Sequence, residues 1–428
     1  GGDLNVTITN TGVQADGLLI DTGHGNTGNI NDLTINLANG TTANKTVGIA
    51  ETCTLDGDLI ITSGTFDTVF SGGASQTLTV TGACDVTGTL TLNASAVLVG
   101  ALRANSGAAI TQGSSGTLGI TAGSAATGVS WGADYSILNN DNTSDIALGG
   151  TVTITAGVYM QSGTAGFGSR TSTLNNLIIN DTGHYWVYGL TCAGTLTINA
   201  SKKISTYGSA GGGSQKLTVV GDVTVNGTLD YESAGTKDIE YEFGSLTIAD
   251  GGTYNATSGT TTFTSNTSNY SLVNDGTFTH NKGTVKVDFD TPNYNANTRL
   301  KVNELYNLEM AMNRTTDYTY LQKVSGDTIT ILGYFHLIQG DLEDHTNSDK
   351  YVIHGQTIIE STARFGANAT WHTGDVTHHQ LVTNKGTYFT TSGANNFNAG
   401  VRNLGTFTSD DTLTIGGTGG ILEGNLDD

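Results

Sequence analysis

Proline is almost absent from this chain, since Pro292 is the only one among 428 residues. Charged residues are also scarce: Asp, Glu, Lys and Arg make up 13% of the sequence, where an ordinary soluble domain has about 25%. The scarcity of proline excludes collagen, and a coiled coil would be rich in Ala, Glu, Lys, Leu and Arg. Apolar runs stay well below the roughly 18 residues of a transmembrane helix, so we expect no membrane insertion.

Positive charge is the scarcer sign, with 17 Lys and Arg against 38 Asp and Glu and a formal net charge of −21. Nucleic-acid binding through phosphate contacts needs a basic stripe, so we expect no nucleic-acid partner. Anionic membrane surfaces are disfavoured for the same reason. Aromatic rings and basic residues are concentrated in the C-terminal half, which predicts that contacts with partners lie there.

Cysteine is limited to Cys53, Cys84 and Cys192, an odd number without a CxxC motif or a Cys/His cluster. This pattern predicts neither a disulfide framework nor a zinc site. We interpret the three as small buried residues, with a Cys53–Cys84 bridge as the alternative. The chain starts at Gly1 without a signal peptide, so we expect a trimmed part of a longer product.

Glycine is abundant, with 60 residues, and it punctuates a recurring phrase of glycine, a polar residue, and then apolar–Thr–apolar. Alternation at period two puts the aliphatic side chains on one face of a strand and the hydroxyls on the other. Glycine, Asn and Asp between the copies supply turns. Clear copies of the phrase are residues 57–61, 88–92, 150–154, 194–198, 221–225 and 244–248.

Short strands at this spacing predict an all-β fold, a β-solenoid or parallel β-helix of about 20 coils with room for β-rich insertions. A single coil cannot cover its own apolar face, whereas stacked coils bury a continuous core. The alternative is one or more antiparallel β-sandwiches, which usually carry more proline in their loops. Residues 303–310 imitate a helix, but their alignment with the repeats predicts a strand.

A longer repeat divides the chain into three predicted blocks, residues 1–176, 177–307 and 308–428, the last with aromatic-rich loops. Residues 53–95 align with 192–233, and a looser third copy begins at Thr328. Each copy follows an Asn/Asp–Leu phrase, and these phrases are Asp32-Leu33, Asn176-Leu177 and Asn307-Leu308.

The phrase at residues 217–229 resembles the repeats of β-helical structural proteins of phage virions, especially tail- and fibre-associated ones. Residues 276–287, followed by Leu305–Leu308, are similar to solenoid repeats of large prokaryotic surface adhesins. The likeness is one of repeat style over most of the chain. It implies an extended extracellular or virion rod and no catalytic residue.

Exposed aromatic side chains are the first candidates for binding, because they stack on sugars and anchor protein contacts. The densest cluster is Tyr185, Trp186 and Tyr188, and Trp371 lies in a second polar stretch. A cell-surface glycan is the ligand class that such a surface would take.

Calcium is the one cofactor that the sequence suggests. Asp141, Thr143 and Asp145 place side-chain oxygens at alternate positions of a predicted loop, and hard oxygen ligands suit Ca²⁺. The segment lacks the rest of an EF-hand loop.

Groups for acid–base chemistry are sparse. The densest polar patch combines Asp341, Glu343 and Asp344 with His336 and His345, and we interpret it as solvated turns. His378 and His379 are adjacent in a predicted strand, so their side chains point to opposite faces. We therefore predict no catalytic residue. Asn93 and Asn199 are the acceptors of two Asn-x-Ser sequons.

These observations favour a non-enzymatic structural or adhesive solenoid of a virion or outer cell surface, acting as a rigid rod or assembly subunit. The expected partners are copies of the chain or other structural proteins. The alternatives are a carbohydrate-active tailspike, meaning a polysaccharide depolymerase or lyase, and a self-assembling surface-layer or filament subunit.

Overall fold

The structure is a computed structural model in which all elements with defined bounds are β-strands. It divides into two compact units: residues 1–219 with 227–236 form unit 1, and residues 220–226 with 237–428 form unit 2. The described residues are 4–9, 18–20, 30–37, 45–69, 73–123, 127–128, 135–139, 143–155, 159–162, 173–187, 190–208, 216–231, 238–264, 270–289, 298–312, 318–322, 328–344, 350–366, 374–390, 393–409, 412–416 and 421–423.

Unit 1 contains the first 20 strands, β22 and the beginning of β21. These strands are β1 Leu4–Thr9, β2 Leu18–Ile20, β3 Ile30–Asn36, β4 Thr46–Ile49, β5 Cys53–Leu55, β6 Leu59–Ser63, β7 Thr65–Asp67, β8 Leu78–Val86, β9 Thr89–Thr91, β10 Ala96–Ala104, β11 Ala109–Gln112, β12 Thr117–Ile120, β13 Ile137–Asn139, β14 Asp145–Ile154, β15 Tyr159–Ser162, β16 Thr173–Ile179, β17 Gly183–Val187, β18 Leu190–Cys192, β19 Leu196–Ile198, β20 Lys203–Gly208, β21 Lys216–Val225 and β22 Thr228–Tyr231.

Unit 2 contains the end of β21 and the remaining strands. These are β23 Glu240–Ile248, β24 Thr253–Asn255, β25 Thr260–Phe263, β26 Leu272–Asn274, β27 Thr277–Thr279, β28 Thr284–Phe289, β29 Thr298–Lys301, β30 Glu304–Leu305, β31 Asn307–Met312, β32 Tyr318–Gln322, β33 Thr328–Ile331, β34 Phe335–Asp344, β35 Lys350–Ile353, β36 Thr357–Phe365, β37 Val376–His378, β38 Val382–Asn384, β39 Thr387–Thr390, β40 Asn395–Phe397, β41 Gly400–Asn403, β42 Thr406–Ser409, β43 Leu413–Ile415 and β44 Ile421–Glu423.

Successive coils of unit 1 pair in parallel along three ladders of register partners. The chain visits Leu55 in the first ladder, Leu59 in the second and Phe66 in the third, and then returns to the first at Val80. The first ladder consists of Leu4, Ile30, Leu55, Val80, Val99, Ile120, Ile154, Ile179 and Ile198. This arrangement is a parallel β-solenoid, as predicted, and the described pairings are parallel rather than those of an antiparallel sandwich.

The predicted number of coils, about 20, is too high. Steps of the first ladder range from 19 residues, between Val80 and Val99, to 34 residues, between Ile120 and Ile154. They average about 24 residues, because some corners carry longer connections. The described residues include no helix with the length and hydropathy needed to cross a membrane.

Unit 2 repeats the scheme with a more aromatic interior. One ladder runs through Leu342, Phe365, Tyr388 and Phe407, and the last three rings stack with centroids 4.8 Å apart at each step. A second consists of Leu305, Ile331, Ile353, His378, Phe397 and Ile415. The third begins at Tyr241 and passes through Leu308, Phe335 and Val382 to Val401.

Alternation of aliphatic residues with Thr produces the buried and outer faces that the sequence predicted. Buried and half-buried residues alternate along the whole of β14, and Ile154 is fully buried. The segment 303–310, which imitates a helix in the sequence, forms β30 and β31. The alternation of apolar and polar residues with a period of two therefore specifies a strand with one buried face.

Neighbouring positions on β14 provide a direct test of this alternation. Replacing Ile154 with Ala should lower the free energy of unfolding by about 2–5 kcal/mol, because it leaves a cavity in the core. Replacing Thr153, whose side chain lies on the outer face, should change it by no more than about 0.5 kcal/mol. Guanidinium unfolding followed by circular dichroism measures both values. Equal effects would contradict the assignment of faces.

Candidate functional surface

The corner between the first and second ladders of unit 1 is held by carboxylates that bridge coils. Asp32 Oδ1 accepts a hydrogen bond from the backbone N–H of Asp58, at 2.8 Å. Asp58 Oδ1 in turn accepts from the backbone N–H of Ala83 in the next coil, at 2.7 Å. Each side chain therefore receives a backbone donor that the strand ladders leave unused at the bend.

The same device occurs at other corners with asparagine as the acceptor. In unit 1, Asn176 Oδ1 accepts from the N–H and the hydroxyl of Thr195, at 3.0 and 3.1 Å. In unit 2, Asn307 Oδ1 accepts from the N–H of Tyr334, at 3.1 Å. Asp32, Asn176 and Asn307 are the three Asn/Asp–Leu markers of the sequence repeat, so the marker is a structural bridge between coils.

A glycine precedes the donor at these corners because the bridging oxygen occupies the space of a Cβ atom. A Cβ on Gly57 would lie 2.1 Å from Asp32 Oδ1, and one on Gly194 would lie 2.2 Å from Asn176 Oδ1. Contacts this short cannot be accommodated by L side chains. At Gly57 and Gly194 the glycine of the phrase therefore follows from a side-chain oxygen one coil earlier. A backbone carbonyl oxygen fills the same space at Gly88, Gly150 and Gly244.

Burial raises the pKa of the Asp58 carboxyl above its ordinary value, and the nearby carboxylates of Asp32 and Asp85 add to the rise. The hydrogen bond from Ala83 opposes it. The ionised form is thus less favourable in the folded chain than in the unfolded one.

Ion pairs join register partners on adjacent coils. In unit 1, Arg103 pairs with Asp85. In unit 2, Arg364 forms a two-pronged pair with Asp341, whose side chain is 2% exposed, with nitrogen–oxygen distances of 2.8 and 2.7 Å. Asp341 is therefore a buried structural group, and the predicted solvated patch around it is wrong at this residue.

One outer face of unit 2 carries a phenol, an imidazole and two carboxylates. The Tyr334 hydroxyl donates to Glu309 Oε1 at 2.6 Å. Glu360 lies 3.2 Å from His336 Nε2 and 3.0 Å from Lys385 Nζ. The hydrogen bond from Lys385 holds the pKa of Glu360 below its usual range. That carboxyl therefore stays ionised, which suits an ion pair better than a general acid.

His378 and His379 face opposite sides of β37 and its continuation, as the sequence predicts. The His378 side chain is fully buried, with Nδ1 2.9 Å from the Thr357 hydroxyl and its ring stacked on Phe397 at 5.1 Å. His379 is half-buried on the outer side. The sequence places the two rings on opposite faces but does not show that His378 lies in the core, because its partner Thr357 lies 21 residues away.

The predicted aromatic binding residues remain predictions. Tyr188 and Trp371 lie outside the described residues. Tyr185 and Trp186 belong to β17, where their backbones pair with Thr206 and Tyr207. The structure gives only this backbone register, so the glycan-binding surface stays a prediction.

The calcium hypothesis is only partly within the described residues. Asp141 lies outside them. The Thr143 hydroxyl accepts a hydrogen bond from the backbone N–H of Gly107 at 2.9 Å and lies 3.1 Å from the Ser106 hydroxyl. Asp145 begins β14 in register with Ala109. Within the described ranges, no three His, Cys, Asp or Glu side chains converge as a metal-binding group.

The three cysteines are buried free thiols, as interpreted, and the alternative Cys53–Cys84 bridge is absent. Burial raises the pKa of Cys53 to about 11 and that of Cys192 to about 12, and that of Cys84 is raised as well. A thiol that stays protonated is a poor nucleophile and metal ligand, so these residues belong to the core.

The asparagines of the two described Asn-x-Ser sequons form hydrogen bonds with other side chains of the protein. Asn93 Nδ2 donates to Asp67 at 2.6 Å, and Asn199 Nδ2 donates to Asn180 at 3.1 Å. Both amides connect neighbouring coils, which does not favour glycosylation at either.

The chain was compared with protein-family models, curated proteins and solved structures, and none of them matches.

The corner bridge can be tested at Asn176. Replacement with Ala should cost about 1–3 kcal/mol of unfolding free energy, because the N–H and hydroxyl of Thr195 lose their acceptor. Replacement with Asp should preserve most of the stability, since the Asp32 carboxylate accepts the equivalent hydrogen bond at another corner. Denaturant unfolding measures both. Equal losses for Ala and Asp would mean that the acceptor oxygen is unimportant.

Asp58 offers a test with a pH signature. Replacement with Asn should raise the melting temperature at pH 7, because it keeps the acceptor and removes a destabilised charge. The gain should vanish as the pH falls below the ordinary carboxyl range, where Asp58 is protonated in both states. Replacement with Ala, which removes the acceptor, should lower the melting temperature at both pH values. A gain independent of pH would contradict the electrostatic account.

Proposed function

We propose that the chain is a non-enzymatic structural or adhesive solenoid of a virion or outer cell surface, acting as a rigid rod or assembly subunit. The observation that carries the proposal is the use of polar side chains between coils. Corner carboxylates and amides accept backbone donors one coil away, and ion pairs such as Asp341–Arg364 join register partners. Groups engaged in this way stiffen a stack of coils and are not free for chemistry.

The repeat style supports the extracellular setting. Residues 217–229 resemble repeats of virion β-helical proteins, and residues 276–287 are similar to repeats of surface adhesins. A net charge of −21 with few lysines suits a soluble surface component that does not bind nucleic acid. Copies of the chain, other structural proteins and cell-surface glycans are the proposed partners.

A carbohydrate-active tailspike is the second candidate, because Glu309, Tyr334, His336 and Glu360 share one outer face of unit 2. Depolymerases need a pair of carboxyl groups with separated pKa values. The hydrogen bond from Lys385 holds the pKa of Glu360 below its usual range, so this carboxyl is ionised and does not suit the general-acid role. These electrostatics favour the structural proposal.

Negative-stain electron microscopy and multi-angle light scattering test the structural proposal. We expect elongated particles of uniform width, with assembly that depends on concentration if the chain is a filament subunit. When the protein is incubated with a panel of bacterial surface polysaccharides, we expect no new reducing ends and no unsaturated products. Depolymerisation that is lost in Glu309→Gln or Glu360→Gln would overturn the proposal in favour of the tailspike.

A further inference from the structure

Two histidines of unit 2 lie at equivalent positions on consecutive coils. Ile353, His378 and Phe397 are register partners in the interior, so the residues that follow them, His354, His379 and Asn398, occupy one corner row. Backbone hydrogen bonds hold the row in step, from His379 N to Ile353 O at 2.8 Å and from Asn398 N to His378 O at 2.9 Å.

The two imidazole rings are nearly parallel. Their centroids are 4.6 Å apart and their planes differ by 2°. His354 is exposed and His379 is half-buried, so solvent reaches this corner. The fixed spacing of parallel coils, about 4.8 Å, therefore places the two imidazole rings side by side at this corner.

Asn398 determines how His379 can act. Its amide Nδ2 donates to His379 Nδ1 at 3.2 Å, which leaves the ring proton on Nε2. A metal ion at Nε2 requires that proton to move to Nδ1, and a half-turn of the Asn398 amide would then turn its oxygen to accept it. Orientation of a ligating imidazole by a neighbouring acceptor is typical of metal sites.

We propose that His354 and His379 bind one divalent transition-metal ion, Zn²⁺ or Cu²⁺, with water completing the coordination. Imidazole suits these metals, and nitrogen–metal distances of about 2.0–2.1 Å require the two nitrogens to approach to roughly 3–3.5 Å. The exposed ring of His354 can tilt towards His379 to achieve this approach. The net charge of −21 favours cation binding.

Two other outer histidines among the described residues lack this arrangement and provide matched controls. His336 lies 3.2 Å from Glu360, and His280 lies 3.3 Å from Glu304. Each offers a single imidazole beside a carboxylate. His336→Asn therefore removes an outer histidine of the same unit without touching the proposed pair.

Isothermal titration of the whole chain with ZnCl₂ and CuCl₂ at pH 7.5 tests the proposal. We expect one equivalent to bind to the native chain, with affinity weakened by about tenfold or more in His354→Asn and in His379→Asn, and unchanged in His336→Asn. Binding should weaken towards pH 5.5, because protons compete with the metal ion for imidazole nitrogens. Undiminished binding by the His354→Asn/His379→Asn double variant would overturn it.

A second measurement does not depend on variants. Zn²⁺ should protect His354 and His379 of the native chain from diethyl pyrocarbonate, as read by peptide mass spectrometry, while His336 continues to react. Equal modification of all three with and without Zn²⁺ would overturn the proposal. Neither outcome bears on the structural role of the solenoid, which the microscopy tests separately.

Discussion

Hydrogen bonding between each strand and the strand one coil later is the interaction on which the rest of this structure depends. Parallel pairing needs a backbone N–H at nearly every strand position, and one proline in 428 residues is the compositional result. In-register pairing also places like residues above one another. Aliphatic side chains thus form continuous rows inside each unit, and aromatic rings in unit 2 stack at a spacing of 4.8 Å.

The strand ladders are interrupted at the corners, and the same hydrogen-bonded arrangement recurs at several of them. An Asp or Asn oxygen accepts the backbone donor of the following coil, and glycine makes room for it. The arrangement has a cost at Asp58, whose carboxylate is partly desolvated and close to two others. Asn176 and Asn307 perform the same role without charge.

The distribution of polar groups connects the fold to the proposed role. Among the described residues, carboxylates, amides and guanidinium groups such as those of Asp58, Asn176 and Arg364 bind adjacent coils to one another. In the proposed rod, many such bonds together would supply stiffness along the stack, although each is modest by itself. His354 and His379 differ, because their rings stack with centroids 4.6 Å apart at a corner that solvent reaches.

The sequence by itself determined the fold class and the facing of side chains. Alternation in residues 150–154 predicted both the strand and the burial of Ile154, and adjacency predicted the opposite faces of His378 and His379. These properties follow from the period of two, which is local. The Asn/Asp–Leu markers could also be recognised in the sequence, but their hydrogen bonds between coils could not be predicted from it.

Only the tertiary structure decided which distant residues meet. The repeat aligned Cys53 with Cys192, yet Cys53 pairs with Leu78 in the first ladder and Cys192 with Val219 in the third. Every ladder demands the same alternation, so a strand's sequence does not specify its ladder. The number of coils and the pairing of Asp341 with Arg364 depend on the lengths of the connections, and no local pattern encodes where a coil of variable length returns.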